Sequence, residues 1–261
     1  MRIATWNINS VRIRIDLIKN FLLDQEPDVL CLQETKTEDD KFPLKEFYDV
    51  GWNYIVIKGQ KSYNGVAILS KHPIVCSESI NWLDKNDCRH ISAKISDLII
   101  HNFYVPAGGD IPDRKINDKF AHKLDFLDQM KTWFSNNSNK NNILLGDLNI
   151  APLKEDVWST NQLKNVVSHT KIEREKLIDF LKTGNWCDAI RYSHNKEEIL
   201  YSWWSYRAKD WKKSNRGRRL DHIWISDDLK NHLNSATIFT SYRDFERPSD
   251  HVPMMISINK T

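Results

Sequence analysis

Residues 143–150 read Ile143-Leu144-Leu145-Gly146-Asp147-Leu148-Asn149-Ile150. An apolar run this short reads as a buried strand that delivers Asp147 and Asn149 at its end. The same pattern recurs along the chain. One apolar run ends in Asn7, Val29-Leu30-Cys31-Leu32-Gln33 ends in Glu34, and the run from Leu98 to Phe103 ends in Tyr104. Two acidic groups precede strands instead: Asp221 before His222-Ile223-Trp224-Ile225, and Asp250-His251 before Val252-Pro253-Met254. Antiparallel neighbours explain why some acids lead a strand and others follow one. In layered sheets, strand ends gather at one edge, where ligand clefts lie.

Outward from these runs, strands are predicted over 2–8, 28–33, 53–58, 65–70, 73–79, 89–96, 98–105, 142–148, 200–206, 219–225, 236–242 and 252–258. Val11, Ile15, Ile18 and Leu22 recur at helical spacing before Pro27, and helical patterns fill 42–49, 114–134 and 171–183, with a short one near 227–233. The polar stretch 136–142 is too short for a linker, and no repeat or break in composition divides the chain. The expectation is one α/β domain over residues 1–261, with layered sheets.

The chain has 261 residues, 40% hydrophobic and 28% charged, which excludes a disordered protein. No apolar run approaches the length needed to span a bilayer, and the first residues lack the apolar core of a signal peptide. A soluble, cytoplasmic protein is expected. Cys31, Cys76, Cys88 and Cys187 lie far apart without metal or redox spacing and read as reduced packing groups. Eight glycines, none in a phosphate-cradling motif, exclude a Rossmann or P-loop nucleotide site.

With 38 basic and 35 acidic residues the net charge is +3, yet residues 207–219 alone carry seven basic groups and one acid, a net of +6. The rest of the chain is therefore at −3. Trp203, Trp204 and Tyr206 precede this segment and Trp211 lies inside it. Basic groups track phosphates and flat rings stack on bases and sugars, so the combination points to a polyanion, and to nucleic acid before a lipid head group. The plainer reading of such a segment is a solvated loop.

Singly, the strand-end residues also have plain explanations, since Asp and Asn after a strand commonly form turns or caps and a lone His is usually structural. Together, three dispersed carboxylates, an Asp-His pair, amides and a tyrosine suit a hard divalent cation, Mg²⁺ or Mn²⁺ rather than zinc. Such a set implies hydrolysis of a phosphoester.

The stretches Trp6-Asn7-Ile8-Asn9, Leu32-Gln33-Glu34-Thr35-Lys36, Gly146-Asp147-Leu148-Asn149-Ile150, Asn215-Arg216-Gly217-Arg218-Arg219-Leu220-Asp221 and Pro248-Ser249-Asp250-His251 resemble, in order, those of the exonuclease III family of apurinic/apyrimidinic (AP) endonucleases. Tyr201-Ser202-Trp203-Trp204-Ser205-Tyr206-Arg207 adds to the likeness. The resemblance implies a four-layered α-β-β-α sandwich of two mixed sheets flanked by helices, and Mg²⁺-dependent cleavage of duplex DNA at abasic sites or blocked 3′ ends by a monomer, with one or two ions. It implies Glu34 as the principal metal ligand, with Asn7 and Asp250 around the ion. It further implies Asp221 as the partner of His251, Asp147 as the group that orients and deprotonates water, Asn149 beside it, and Tyr104 on the phosphate. An abasic sugar flipped from the helix would meet Trp203, Leu220 and Arg218, the last at a position where some members carry an aromatic ring. Lys212, Lys213 and Arg216 are expected on DNA. Lys123, on the helix at 114–134, is read either as a backbone contact or as a solvated residue, and Ala107 replaces a side-chain amide. The alternatives are a related phosphoesterase acting on RNA or phosphoinositides, and a non-catalytic DNA-binding module.

Overall fold

Alternation along the strands decides the architecture. In a strand successive side chains point to opposite faces, and in the central strands here both faces are buried. The computed structural model describes residues 1–137, 140–208 and 210–259. Among them, one six-stranded sheet has β1 (Arg2–Asn7), β2 (Val29–Gln33), β3 (Tyr54–Lys58), β4 (Val66–Ser70), and, from the end of the chain, β13 (Leu233–Ile238) and β14 (Met254–Ile258), in the order β13-β14-β1-β2-β4-β3. The other has β5 (Ile74–Glu78), β6 (His90–Ile95), β7 (Leu98–Tyr104), β8 (Asn142–Asp147), β9 (Trp186–Asp188) and β12 (Asp221–Ser226), in the order β5-β6-β7-β8-β12-β9. A two-stranded ribbon pairs β10 (Trp203–Trp204) with β11 (Gly217–Arg218). The pairs β1/β2 and β7/β8 are parallel and the others antiparallel, so both large sheets are mixed.

One set of alternate residues, including Ile3, Val29, Cys31, Val66 and Ile68 from the first sheet and Ile100, Ile143, Leu145, Ile223 and Ile225 from the second, forms a single core between the sheets. The opposite set in the first sheet, Ala4, Trp6, Leu30, Leu32 and Leu69, packs on Leu17, Ile18 and Phe21 of the helix Ile15–Gln25. In the second, Phe103, Leu144 and Trp224 pack on Phe126, Met130 and Phe134 of the helix Asp118–Asn136 and on Leu177 and Phe180 of the helix Lys171–Thr183. The result is the expected helix-sheet-sheet-helix sandwich.

Along the inward-facing set, chemistry changes from one end of the sandwich to the other. Ile3 is followed by Thr5 and Asn7, Cys31 by Gln33, Ile100 by Asn102 and Tyr104, and Leu145 by Asp147. Gln33 Nε2 donates to Thr5 Oγ1 (2.9 Å) and across the sheets to Asn102 Oδ1 (2.7 Å). Asn102 Nδ2 in turn donates to the carbonyls of Leu32 (3.0 Å) and Ala67 (2.9 Å). This paired amide layer separates the apolar core from the charged groups beyond it, leaving its donors satisfied.

Several predicted elements move. The strand expected over 200–206 shrinks to the two residues of β10, and that over 236–242 becomes β13 followed by a 3₁₀ turn, Thr240–Asp244. The helix expected near 227–233 is also a 3₁₀ turn, Asp227–His232. The long helix starts at Asp118, where the side chain of Asn117 caps the amide of Lys119. In the polar stretch 136–142, Ser138 and Asn139 lie outside the described residues, as does Lys209 in the basic segment.

Candidate active site

The strand ends β1, β2, β7, β8 and β12 meet at the polar end of the sandwich. Asp221 and Asp147 are register partners on antiparallel strands, and Tyr104 is the parallel partner of Asp147 on its other side. Gly146 makes this possible: its φ is +129°, and a Cβ there would stand 2.0 Å from the carbonyl oxygen of Phe103. Asn9, Ser10, Glu34, Lys36 and Asn149, all non-glycine, also adopt positive φ.

Asn7 joins the two sheets, its Nδ2 donating to Glu34 Oε1 (2.9 Å) and to Asp147 Oδ2 (2.8 Å). Asp147 also accepts from the amide (2.9 Å) and side chain (3.2 Å) of Asn149. His251 Nδ1 lies 2.7 Å from Asp221 Oδ2, leaving Nε2 3.7 Å from Asp147 Oδ2. Ser202 completes the arrangement: its hydroxyl donates to Asp221 Oδ2 (2.6 Å) and accepts from the amides of Leu220 and Asp221. The loop carrying His251 is tied down by Trp6 Nε1 on its carbonyl (3.0 Å) and by Ser249 Oγ on the carbonyl of Asn7 (2.7 Å). Trp203 Nε1 and Asn9 Nδ2 hold Asp250.

These contacts set the charges. Burial disfavours a cationic His251, but the carboxylates of Asp221 and Asp147 outweigh it and raise its pKa to about 10. Burial pushes the carboxyl of Asp147 upward against the pull of His251 and the hydrogen bond from Asn7. Burial also opposes ionisation of Glu34, yet Lys36, 2.7 Å from Oε2, and Asn7 hold it below the usual carboxylate range. The hydroxyl of Tyr104 is pushed far up by burial and by the negative charge of Glu34 and Asp147, so it stays protonated.

A recess of about 600 Å³ opens over this cluster, lined at one end by Glu34, Tyr104, Asp147, Asn149, Asp250 and His251 and at the other by Trp158, Trp203, Arg207, Arg216, Arg218 and Leu220. Asp147, Asp221 and His251 each offer a ligand atom within 4.8 Å of the others, a group able to hold a metal ion. Oxygen donors dominate the site, and the buried Asp221 Oδ1 has no hydrogen-bond partner. The cation on Glu34 here is the Lys36 ammonium. A His251 that keeps its proton has no lone pair for a metal, so the donors that fit a hard divalent ion are the oxygens on the Glu34 side, from Glu34, Asn7 and Asp250, where a cation already sits.

The endonuclease/exonuclease/phosphatase family profile matches residues 4–251. The chain belongs to that family. Among curated members, the exodeoxyribonuclease of Bacillus subtilis (strain 168) is 29% identical over 267 residues, covering 99% of this chain and 100% of its own. Among solved structures, an AP endonuclease from Archaeoglobus fulgidus superposes with a TM-score of 0.93 at 31% identity, and the 3′ phosphatase NExo from Neisseria, bound to a product DNA hairpin, with 0.92 at 30%. Both comparisons cover 100% of each chain. Within that family, the chain is similar over its whole length to exodeoxyribonucleases, AP endonucleases and a 3′ phosphatase. No helix among its described residues is long and apolar enough to cross a membrane.

All eight strand-end residues singled out from the sequence converge at the polar end, six around the recess, with Asn7 buried between Glu34 and Asp147 and Asp221 behind His251. Trp203, Arg216, Arg218 and Leu220 line its far end, while Lys212 and Lys213 sit outside it on the short helix Trp211–Ser214. Lys123 corrects its expectation as a DNA contact: it is fully buried. Its ammonium donates to Ala107 O (3.2 Å), Asn149 O (2.8 Å) and Glu173 Oε1 (2.5 Å), three acceptors for three protons. Sequence reading missed Lys36, Ser202 and Trp158 as site residues. Lys36 and Ser202 lie inside quoted motifs, but nothing in their spacing distinguishes them from surface polar residues.

Proposed function

We propose that this DNA-repair nuclease, acting as a monomeric cytoplasmic protein with one catalytic domain, uses Mg²⁺ to hydrolyse the phosphodiester 5′ to an abasic site in duplex DNA. The products are a 3′-hydroxyl and a 5′-deoxyribose phosphate. The same centre trims blocked 3′ ends and acts as a 3′-to-5′ exonuclease. The observation that carries the reading is the chain Asp221–His251–Asp147, at the floor of a recess with one acidic and one basic end.

Glu34, Asn7 and Asp250 would hold the ion, and a bound Mg²⁺ neutralises charge on the phosphoryl group. Asp147, placed by Asn7 and Asn149, orients water and takes its proton; its raised pKa makes it a stronger base than an ordinary carboxylate. His251, held protonated by Asp221, faces the charge that grows on the phosphoryl oxygens. Tyr104 donates its hydroxyl to the same group. Asp221 leaves only Nε2 of His251 for the substrate.

Incubation of a duplex bearing one abasic-site analogue, beside the matched intact duplex, tests this with Mg²⁺ and with EDTA. Mg²⁺-dependent incision immediately 5′ to the lesion is expected, and Glu34→Ala should require more Mg²⁺ for the same rate while binding DNA normally. Degradation from 3′ ends alone would remove the abasic reading. Cleavage undiminished in EDTA would remove the metal.

A further inference from the structure

Burying one ammonium and one carboxylate away from water is expensive, and an apolar pair of the same size commonly serves a fold as well or better. Lys123 and Glu173 are both fully buried and lie 2.5 Å apart. Each comes from a helix packed on the second sheet, Lys123 from Asp118–Asn136 and Glu173 from the first turn of Lys171–Thr183. Their other hydrogen bonds leave those helices and go to loops.

Lys123 donates to the carbonyl of Ala107 in the loop after β7 and to that of Asn149 in the loop after β8. Glu173 accepts from the amides of Ser168 (2.9 and 3.0 Å) and Thr170 (3.1 Å) and from the Thr170 hydroxyl (2.6 Å). Ala107, Asn149 and Ser168 all line the recess. One ion pair therefore ties three loops of its wall together. Gly108 shows how closely the first of them wraps the lysine: its φ is +92°, and a Cβ there would stand 2.9 Å from Lys123 Cδ.

The bond to Asn149 bears on the chemistry. Asn149 has a φ of +55°, a left-handed conformation that is costly for a side-chain-bearing residue. Its amide donates to Asp147 Oδ1, and its side chain donates to Asp147 Oδ2 and to Val105 O (2.9 Å). With its own carbonyl held by Lys123 (2.8 Å), Asn149 is fixed from three sides, and so is the carboxylate it grips.

We infer that Lys123 and Glu173 form a positioning pair that acts through Asn149 to hold Asp147 in its reactive orientation. The pair serves the rate of phosphodiester cleavage rather than the stability of the fold. The inference rests on the proposed role of Asp147 and adds to it two residues that touch neither the substrate nor the acidic cluster.

The test replaces the pair in the whole chain by an uncharged one of similar shape, Lys123→Met with Glu173→Gln. Thermal melting, affinity for the abasic duplex and single-turnover incision with Mg²⁺ are measured. Melting near that of wild type and duplex affinity within about threefold are expected, with incision slowed about 10²-fold. Asn149→Ala supplies the second arm of a double-mutant cycle. Alone it should slow incision about as much, and added to the pair variant it should cost less than about threefold more, because the tether and the residue act in series. A purely structural pair would instead give rates that follow the melting temperature and losses that multiply. Should the pair variant not melt cooperatively, Glu173→Gln alone, with an expected loss of about tenfold, carries the same cycle. Losses that multiply overturn the inference. A pair variant as fast as wild type beside a slow Asn149→Ala sinks the pair alone, whereas Asn149→Ala at the wild-type rate sinks the reading of Asp147 with it. If the abasic duplex stays intact while 3′ ends are trimmed, the abasic reading falls, and the same ratios taken on trimming still decide the pair.

Discussion

His251 is buried among three acids, and its proton serves both chemistry and stability. Its ordinary pKa near 6.5 rises to about 10 in the folded chain. The bound proton stabilises the fold in full below pH ~6.5, and that contribution is lost as pH rises towards about 10. Thermal melting should therefore show alkaline destabilisation that is absent in His251→Asn; parallel pH profiles for the two proteins would refute it. Asp221→Asn should lower kcat by about 10²–10⁴-fold with little change in KM for DNA, because the imidazole loses its anchor at Nδ1; a rate within a few-fold of wild type would remove Asp221 from the relay. Asn7, Glu34, Tyr104, Asp147, Asn149, Asp221, Asp250 and His251 were legible because each interrupts or flanks an apolar run, which places it at a strand end. Ser202 was not, because it acts through partners 18 and 19 residues away. Lys123 misled because a basic residue on an amphipathic helix ordinarily faces water, and its partner Glu173 lies 50 residues further on.

Elements were legible in proportion to their periodicity. The apolar central strands fall within a residue or two of their expected limits. β9 was missed because three residues of an edge strand carry no measurable alternation. The strand expected at 236–242 slid because Phe239 and Tyr242 continue an apolar pattern, but they turn to pack on Phe21 of the first helix rather than pairing in the sheet. The β7/β8 pair is the least tolerant junction, since the Phe103 backbone occupies the space a side chain at 146 would need. Gly146→Ala should cost about 3 kcal/mol or more and reduce incision with it. Urea unfolding measures the first quantity, and a midpoint equal to wild type would show that the strands part without penalty.

At the scale of the whole molecule, the centre belongs to neither sheet alone. Asn7 and Glu34 come from one, Tyr104, Asp147 and Asp221 from the other, and Asp250 and His251 from the loop that leads into β14. The four layers were expected from resemblance, and the buried alternation of the strands explains them physically. The resemblance named Asp221 as the partner of His251, but the hydrogen bonds that Asn7 makes to Glu34 and Asp147 across the two sheets were not read from the sequence, because they depend on how the sheets face each other. β14 lies between β13 and β1, and the amino group of Met1 donates to the carbonyl of Ile258 (2.7 Å). The first strand synthesised therefore waits for one of the last to complete its sheet. A chain emerging from the ribosome cannot close that sheet, or bring Asp250 and His251 to the centre, until residues 250–258 are free. Removing residues 254–259 should abolish both incision and cooperative melting; a truncated chain that still cut DNA would show that the centre assembles early. Until that segment pairs, the open edge of β1 has no partner and the centre lacks the loop that carries Asp250 and His251.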